Sequence, residues 1–225
     1  VAGNEKRAAA GLTRQNWKSA VLIVLAFVGI YIVRTVVSVA VQGVSDGSGM
    51  QYVKEWAAMF KNPMMWLNIA ALPINYFFVF IAFFGEEYGW RYYLQPVLQK
   101  RFGLRAGVII LGVVWGLWHI PDDLFYYTQT SGIQMIFAQQ ITCISLGIFF
   151  AYAYMKTQNI WVPVCLHYLN NNLIPIISGT FSADVLENQT VSWKDLPVAL
   201  VLNGLCFGFF LLADVFKKKE VQEEE

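Results

Sequence analysis

The sequence predicts an all-α, polytopic transmembrane helix bundle of about six spans plus short helices, with both termini in the cytoplasm. Three observations predict it. Of 225 residues, 57% are hydrophobic and only 14% charged, against about 25% charged in a soluble domain. Apolar runs long enough to cross hydrocarbon, roughly 20 residues each, recur along the chain. Lys and Arg gather in alternate connecting segments, as the positive-inside rule requires.

The first run spans 17 to about 41. Arg7, Arg14 and Lys18 precede it, and Ser38-Val39-Ala40 resembles a signal-peptide cleavage site. Arg34 interrupts the run before that point, so a retained first span is expected, with Arg34 snorkelling outward. The second apolar region opens at Pro63 and continues far past Phe84. Residues 63–99 are too long for one ordinary span, and Pro73 lacks a backbone donor. The expectation is a short helix over about 63–72 and a span over about 73–99. Ending that span at Phe84 would instead leave Glu86 and Glu87 at the interface. Further runs follow at 104–120, 133–154, 160–178 and 197–216. No soluble linker divides them, so residues 1–225 read as a single membrane domain.

Orientation follows from the basic residues. Lys6, Arg7, Arg14 and Lys18 precede the first span; Lys100, Arg101 and Arg105 mark one turn, and Lys156 another. Lys217, Lys218 and Lys219 close the last run. The alternate segments are neutral or acidic: 43–62, Asp122-Asp123, then Asp184, Glu187 and Asp195 with only Lys194. The net charge of +1 gives no reason to expect a nucleic-acid partner. The three cysteines, Cys143, Cys165 and Cys206, lie in apolar runs without metal-ligand spacing and read as packing residues.

Ionisable side chains inside spans are costly and mark functional sites by default. Counted from the cytoplasmic face, Glu86 lies about 20 Å deep and His119 about 21 Å. Asn171 and His167 lie roughly 16 and 10 Å deep. Glu86, Gly89, Trp90 and Tyr93 share a stripe with Asn75 and Ala82; Gly112, Gly116 and His119 share a face; His167 and Asn171 are one turn apart and project together. Gly112 and Gly116 invite a close neighbouring backbone. Glu87 and Arg91, also one turn apart, can neutralise each other and leave Glu86 unpaired. Gln139 and Gln140 suit interhelical hydrogen bonds. The chain has two histidines, and both fall in this set.

A carboxylate, two imidazoles and an amide in a wet cavity suit peptide-bond hydrolysis. Glu86 can act as base on a water held by His119, while His167 and Asn171 donate to the oxyanion. Zinc is possible on the same atoms, Glu86, His119 and His167, with water fourth. Against zinc, the chain has no H-E-x-x-H and the ligands would come from three helices, so no cofactor is expected. For His119, beside Pro121, a helix-capping role is the bland alternative. Asn170 can take the place of Asn171.

Glu86-Glu87-x-x-x-Arg91, Trp115-x-x-x-His119 and His167-x-x-x-Asn171, in this order on apolar helices, resemble the CAAX-protease and bacteriocin-processing (Abi) family of intramembrane proteases. That family is related to the CAAX prenyl endoprotease. The resemblance covers the core over residues 73–178. It implies Glu86 as catalytic glutamate, His119 as its water-activating partner, and His167 with Asn171 at the oxyanion; Glu87 and Arg91 are supporting. It also implies a multi-pass protein of a bacterial plasma membrane, whose partners are the lipid bilayer and a membrane-associated peptide or protein substrate, such as a bacteriocin precursor. The alternative is a non-catalytic scaffold or bacteriocin-immunity factor binding a peptide in the same cavity.

Overall fold

A computed structural model describes residues 10–45, 47–179 and 183–217. Lys6, Arg7, Lys218 and Lys219 of the orientation argument lie outside the described residues. Those described are helical, with no strand among them. In chain order the helices are α1 Trp17–Ser45, α2 Gln51–Met59 and α3 Pro63–Glu87, then a π-helical segment Tyr88–Leu94 leading into α4 Gln95–Phe102. There follow α5 Leu104–Trp118, α6 Ile120–Phe125, α7 Gly132–Thr157, α8 Trp161–Ser178, α9 Ala183–Glu187 and α10 Asp195–Cys206. Two 3₁₀ turns, Gly208–Leu212 and Asp214–Phe216, end the described chain.

The protein is a multi-pass membrane protein. Among the described residues, four stretches are long and apolar enough to cross a bilayer: Trp17–Ser45, Pro63–Phe102, Leu104–Phe125 and Gly132–Thr157. Of the six expected spans, the last two fall short of that measure. Three consecutive asparagines dilute α8, and α10 has 12 residues before the chain tightens into 3₁₀ turns.

The expected break at Pro73 is absent. Pro73 sits inside the unbroken α3. One lost backbone bond costs less than opening a helix in lipid, where every exposed backbone group goes unsatisfied. Asn62 starts α3 by accepting the Met64 N–H at 2.9 Å, with Pro63 at the first position. The irregularity comes directly after the glutamate pair, at the π-helical segment, a deformation common at functional sites. The 40-residue stretch Pro63–Phe102 is about 60 Å long, twice the hydrocarbon thickness, so it projects beyond the core of the bilayer.

α7 is the central post. Cys143, Leu146, Phe149, Phe150 and Ala153 on it are buried together with Phe27 and Tyr31 of α1, Trp115 of α5, Leu166 of α8 and Phe207. α5 lies against α7 because Gly112 lets it: a Cβ there would sit 2.6 Å from the Ile144 Cα. Gln140 of α7 completes the contact by donating its Nε2–H to the Gly112 carbonyl at 3.3 Å. The close neighbour of the Gly112 face is thus α7, not the glutamate-bearing helix. Arg34 does not snorkel; its Nε–H donates to Asn203 Oδ1 at 2.9 Å and ties α1 to α10.

Gly112→Leu should therefore lower the thermal stability of the detergent-solubilised protein by about 1–3 kcal/mol or more. Gly29→Ala, at a position with open space around it, should leave the melting temperature unchanged or raise it. Equal melting of both variants would remove the close-approach account.

Candidate active site

Glu86 and Glu87 are neighbours on α3, so their side chains point about 100° apart. Glu87 turns inward and is fully buried. Its Oε2 lies 3.2 Å from Arg91 Nε, one turn on, and its Oε1 accepts the His167 Nδ1–H at 2.9 Å. Arg91 is also fully buried. Its guanidinium carbon sits 4.7 Å from the Trp115 ring centre and 5.2 Å from that of Phe150. These aromatic faces hold the charge that Glu87 does not reach. His167 stands edge-on to Phe83 and Trp115, with ring centres 5.2 and 5.4 Å apart. The result is one buried chain, Arg91–Glu87–His167, across two helices.

His119 ends α5 as its C-cap residue. Its Nδ1 lies 2.9 Å from the Trp115 carbonyl. A carbonyl only accepts, so Nδ1 carries the hydrogen and Nε2 is the ring nitrogen left for the site. The helix-end position and an Nε2 without a hydrogen bond among the described residues therefore coexist. For His167 the bond to Glu87 leaves Nε2 free by the same reasoning. The Trp115 ring centre is 5.7 Å from that of His119, so one indole separates and orients both imidazoles. Cys143 Sγ lies 3.8 Å from His119 Nδ1.

Glu86 borders an apolar groove of about 400 Å³ together with Gly85, Gly89, Trp90, Tyr93 and Trp118. Gly85 and Gly89 leave open space where side chains would stand. Glu86 Oε2 is buried without a hydrogen-bond partner, as are Trp90 Nε1 and Trp115 Nε1. Its charge is felt by Arg91 and by Cys143.

The structure thus joins His167 to the supporting pair Glu87–Arg91 and links His119 to His167 through Trp115. Glu86 shares its groove with Gly89, Trp90 and Tyr93, as the helical stripe predicts. Asn171 lies elsewhere: it is exposed, and its Oδ1 accepts the Asn170 Nδ2–H at 2.9 Å. It borders a second cleft, of about 440 Å³, with Asn68, Asn75 and Asn172. The α3–α8 interface closes where Phe83 meets His167 and Tyr168, and opens toward Asn171, one turn along α8, and Asn75, two turns back along α3. Neighbours at helical spacing therefore end on different sides of the seal. Asn170 has its own task, accepting the Tyr31 hydroxyl at 2.5 Å.

Sequence reasoning missed three features. The Glu87–His167 bond joins residues 80 apart, and no local signal announces it. The Cys143 contact with His119 is equally invisible. Asp123, read as a loop charge, is fully buried, with neither carboxylate oxygen hydrogen-bonded. Its i+4 spacing from His119, realised as an Asp123 N–H bond to the His119 carbonyl at 2.9 Å, was the available clue. For the zinc possibility, no three His, Cys, Asp or Glu side chains among the described residues are grouped closely enough to hold a metal ion.

Residues 66–173, which contain all three motifs, match the model of the Rce1-like family, type II CAAX prenyl endopeptidases. Through this segment the chain is similar to the Rce1-like family. Among curated proteins, a CAAX prenyl protease 2 of Methanococcus maripaludis is 27% identical over 125 residues, 52% of this chain and 45% of that relative. The chain thus matches less than half the length of this relative. No solved structure matches it.

Removing one partner of a buried ion pair strands the other charge, at about 3–5 kcal/mol. Arg91→Leu should therefore melt far below the parent protein in differential scanning fluorimetry. Asp123→Asn, which removes an unpartnered carboxylate, should melt at or above it. A well-folded Arg91→Leu protein would refute the ion-pair account.

Proposed function

We propose that this chain is an intramembrane endopeptidase that hydrolyses a peptide bond of a membrane-associated peptide or protein. The observation that carries the reading is the contrast between two adjacent carboxylates. Glu87 is ion-paired with Arg91 and bonded to His167, while Glu86, with a buried oxygen that meets no hydrogen-bond partner, has no ion pair among the described residues. A carboxylate free of an ion pair is available to take a proton.

In the proposed reaction, His119 Nε2 holds a water and Glu86 takes a proton from it. The hydroxide forms a C–O bond to the scissile carbonyl, and the carbonyl π electrons move to oxygen. His167, set in place by its bond to Glu87, stabilises that oxyanion. The oxyanion collapses, the C–N bond breaks, and Glu86 returns its proton to the leaving amine. Arg91 holds Glu87 in place and never touches substrate. The scheme assigns no step to a metal. The groove beside Glu86, walled by aromatics and glycines, suits the apolar part of a substrate; the Methanococcus maripaludis relative is named a CAAX prenyl protease.

Purified protein in detergent or liposomes should cleave a membrane-anchored reporter peptide, and prenylated and unprenylated versions would rank the groove's preference. Glu86→Gln should lower kcat by about 10²–10⁴-fold without loss of thermal stability. Cleavage at the parental rate by this variant would remove the enzymatic reading. Full biological activity of the variant without cleavage by either protein would favour the peptide-binding scaffold. Elemental analysis and activity after chelation should show turnover without stoichiometric zinc.

A further inference from the structure

The second cleft is built differently from the groove at Glu86. Four asparagine amides converge on it from facing helices: Asn68 and Asn75 from α3, Asn171 and Asn172 from α8. No acidic or basic side chain lines it; Ala71, Leu72, Pro175, Ile176 and Leu186 complete the wall. At about 440 Å³ it falls in the range of ligand-binding cavities.

Amides are costly in a bilayer unless their hydrogen bonds are met. The protein meets only some of them. Asn75 Nδ2–H donates to Asn172 Oδ1 at 3.2 Å, and Asn172 Nδ2–H to the Tyr168 carbonyl at 3.0 Å. Asn68 makes no hydrogen bond among the described residues, and Asn171 accepts one while its own amide hydrogens stay unused. A primary amide offers donors and acceptors together without charge, which matches a peptide backbone and not a phosphate or a carboxylate. The spacing fits as well. Asn68 and Asn75 are two turns apart on one helix face, about 10 Å, which is about three residues of extended chain. The apolar wall between them accommodates side chains without reading charge.

We propose that this cleft holds an extended segment of the polypeptide substrate by its backbone, with Asn68, Asn75, Asn171 and Asn172 as the contacts. The inference rests on the peptidase reading and adds a binding site to it. Asn171 is one turn from His167 along α8, on the cleft's side of the seal.

The test separates binding from chemistry. A fluorescent, membrane-anchored peptide is titrated into the Glu86→Gln protein. The same peptide with N-methyl groups on three consecutive backbone nitrogens, which removes their donors, serves as its partner probe. The parent peptide should bind about tenfold more tightly than the methylated one, and Asn68→Leu, at a half-buried residue with no hydrogen bond among the described residues, should erase that difference. In the active protein Asn68→Leu should raise KM about three- to tenfold with kcat unchanged. Equal binding of both peptides, or a loss in kcat alone, would overturn the proposal. Backbone-dependent binding without cleavage by the parent protein would keep the cleft and discard the peptidase; cleavage with unchanged KM in Asn68→Leu would do the reverse.

Discussion

A guanidinium, a carboxylate and an imidazole, all buried, are joined in the order Arg91, Glu87, His167. None of the three would be tolerable alone in such surroundings, since an unpaired charge in hydrocarbon costs several kcal/mol. Together they are acceptable because the charges cancel and because Trp115 and Phe150 cover the guanidinium face. The chain pins the π-helical segment after α3 to α8, and through Trp115 it sets the angle of α5. Whatever chemistry the site performs, its geometry descends from this contact.

The same contact explains the division of labour between the two glutamates. They are chemically identical and adjacent, yet α3 gives one an ion pair with Arg91 and a bond to His167 and places the other beside a glycine-lined groove. A helix forces this separation: consecutive side chains cannot share a face. A paired motif therefore supplies one structural carboxylate and one with unused capacity. The π-helical segment that follows widens the helix where Arg91 must reach back to Glu87 and where Trp90 and Tyr93 must face the groove.

Packing at the helix crossings is as consequential as charge. α7 carries five of the buried core side chains, Cys143, Leu146, Phe149, Phe150 and Ala153, and α5 approaches it at the distance that Gly112 permits. His119 is held at the end of α5 by the Trp115 carbonyl and meets Cys143 across the same crossing. The α3–α8 interface is sealed by Phe83 and Tyr168 and then parts, which gives the protein two recesses in place of the one cavity expected from helical spacing.

Composition and pattern by themselves determined that the chain is a helical membrane bundle. Hydrocarbon leaves a helix no alternative partner for its backbone, and apolar runs of sufficient length announce themselves. They also determined which polar residues matter, because few are found at membrane depth, and that Glu87 and Arg91 pair, because one turn of helix brings them together. Only the tertiary structure decided that His167 joins that pair, that Asp123 is buried, that α3 runs through Pro73, and that Asn171 faces a separate cleft. These depend on how helices distant in sequence cross and where their interfaces close. Crossing geometry is fixed by the shapes of many side chains at once, so no local pattern carries it.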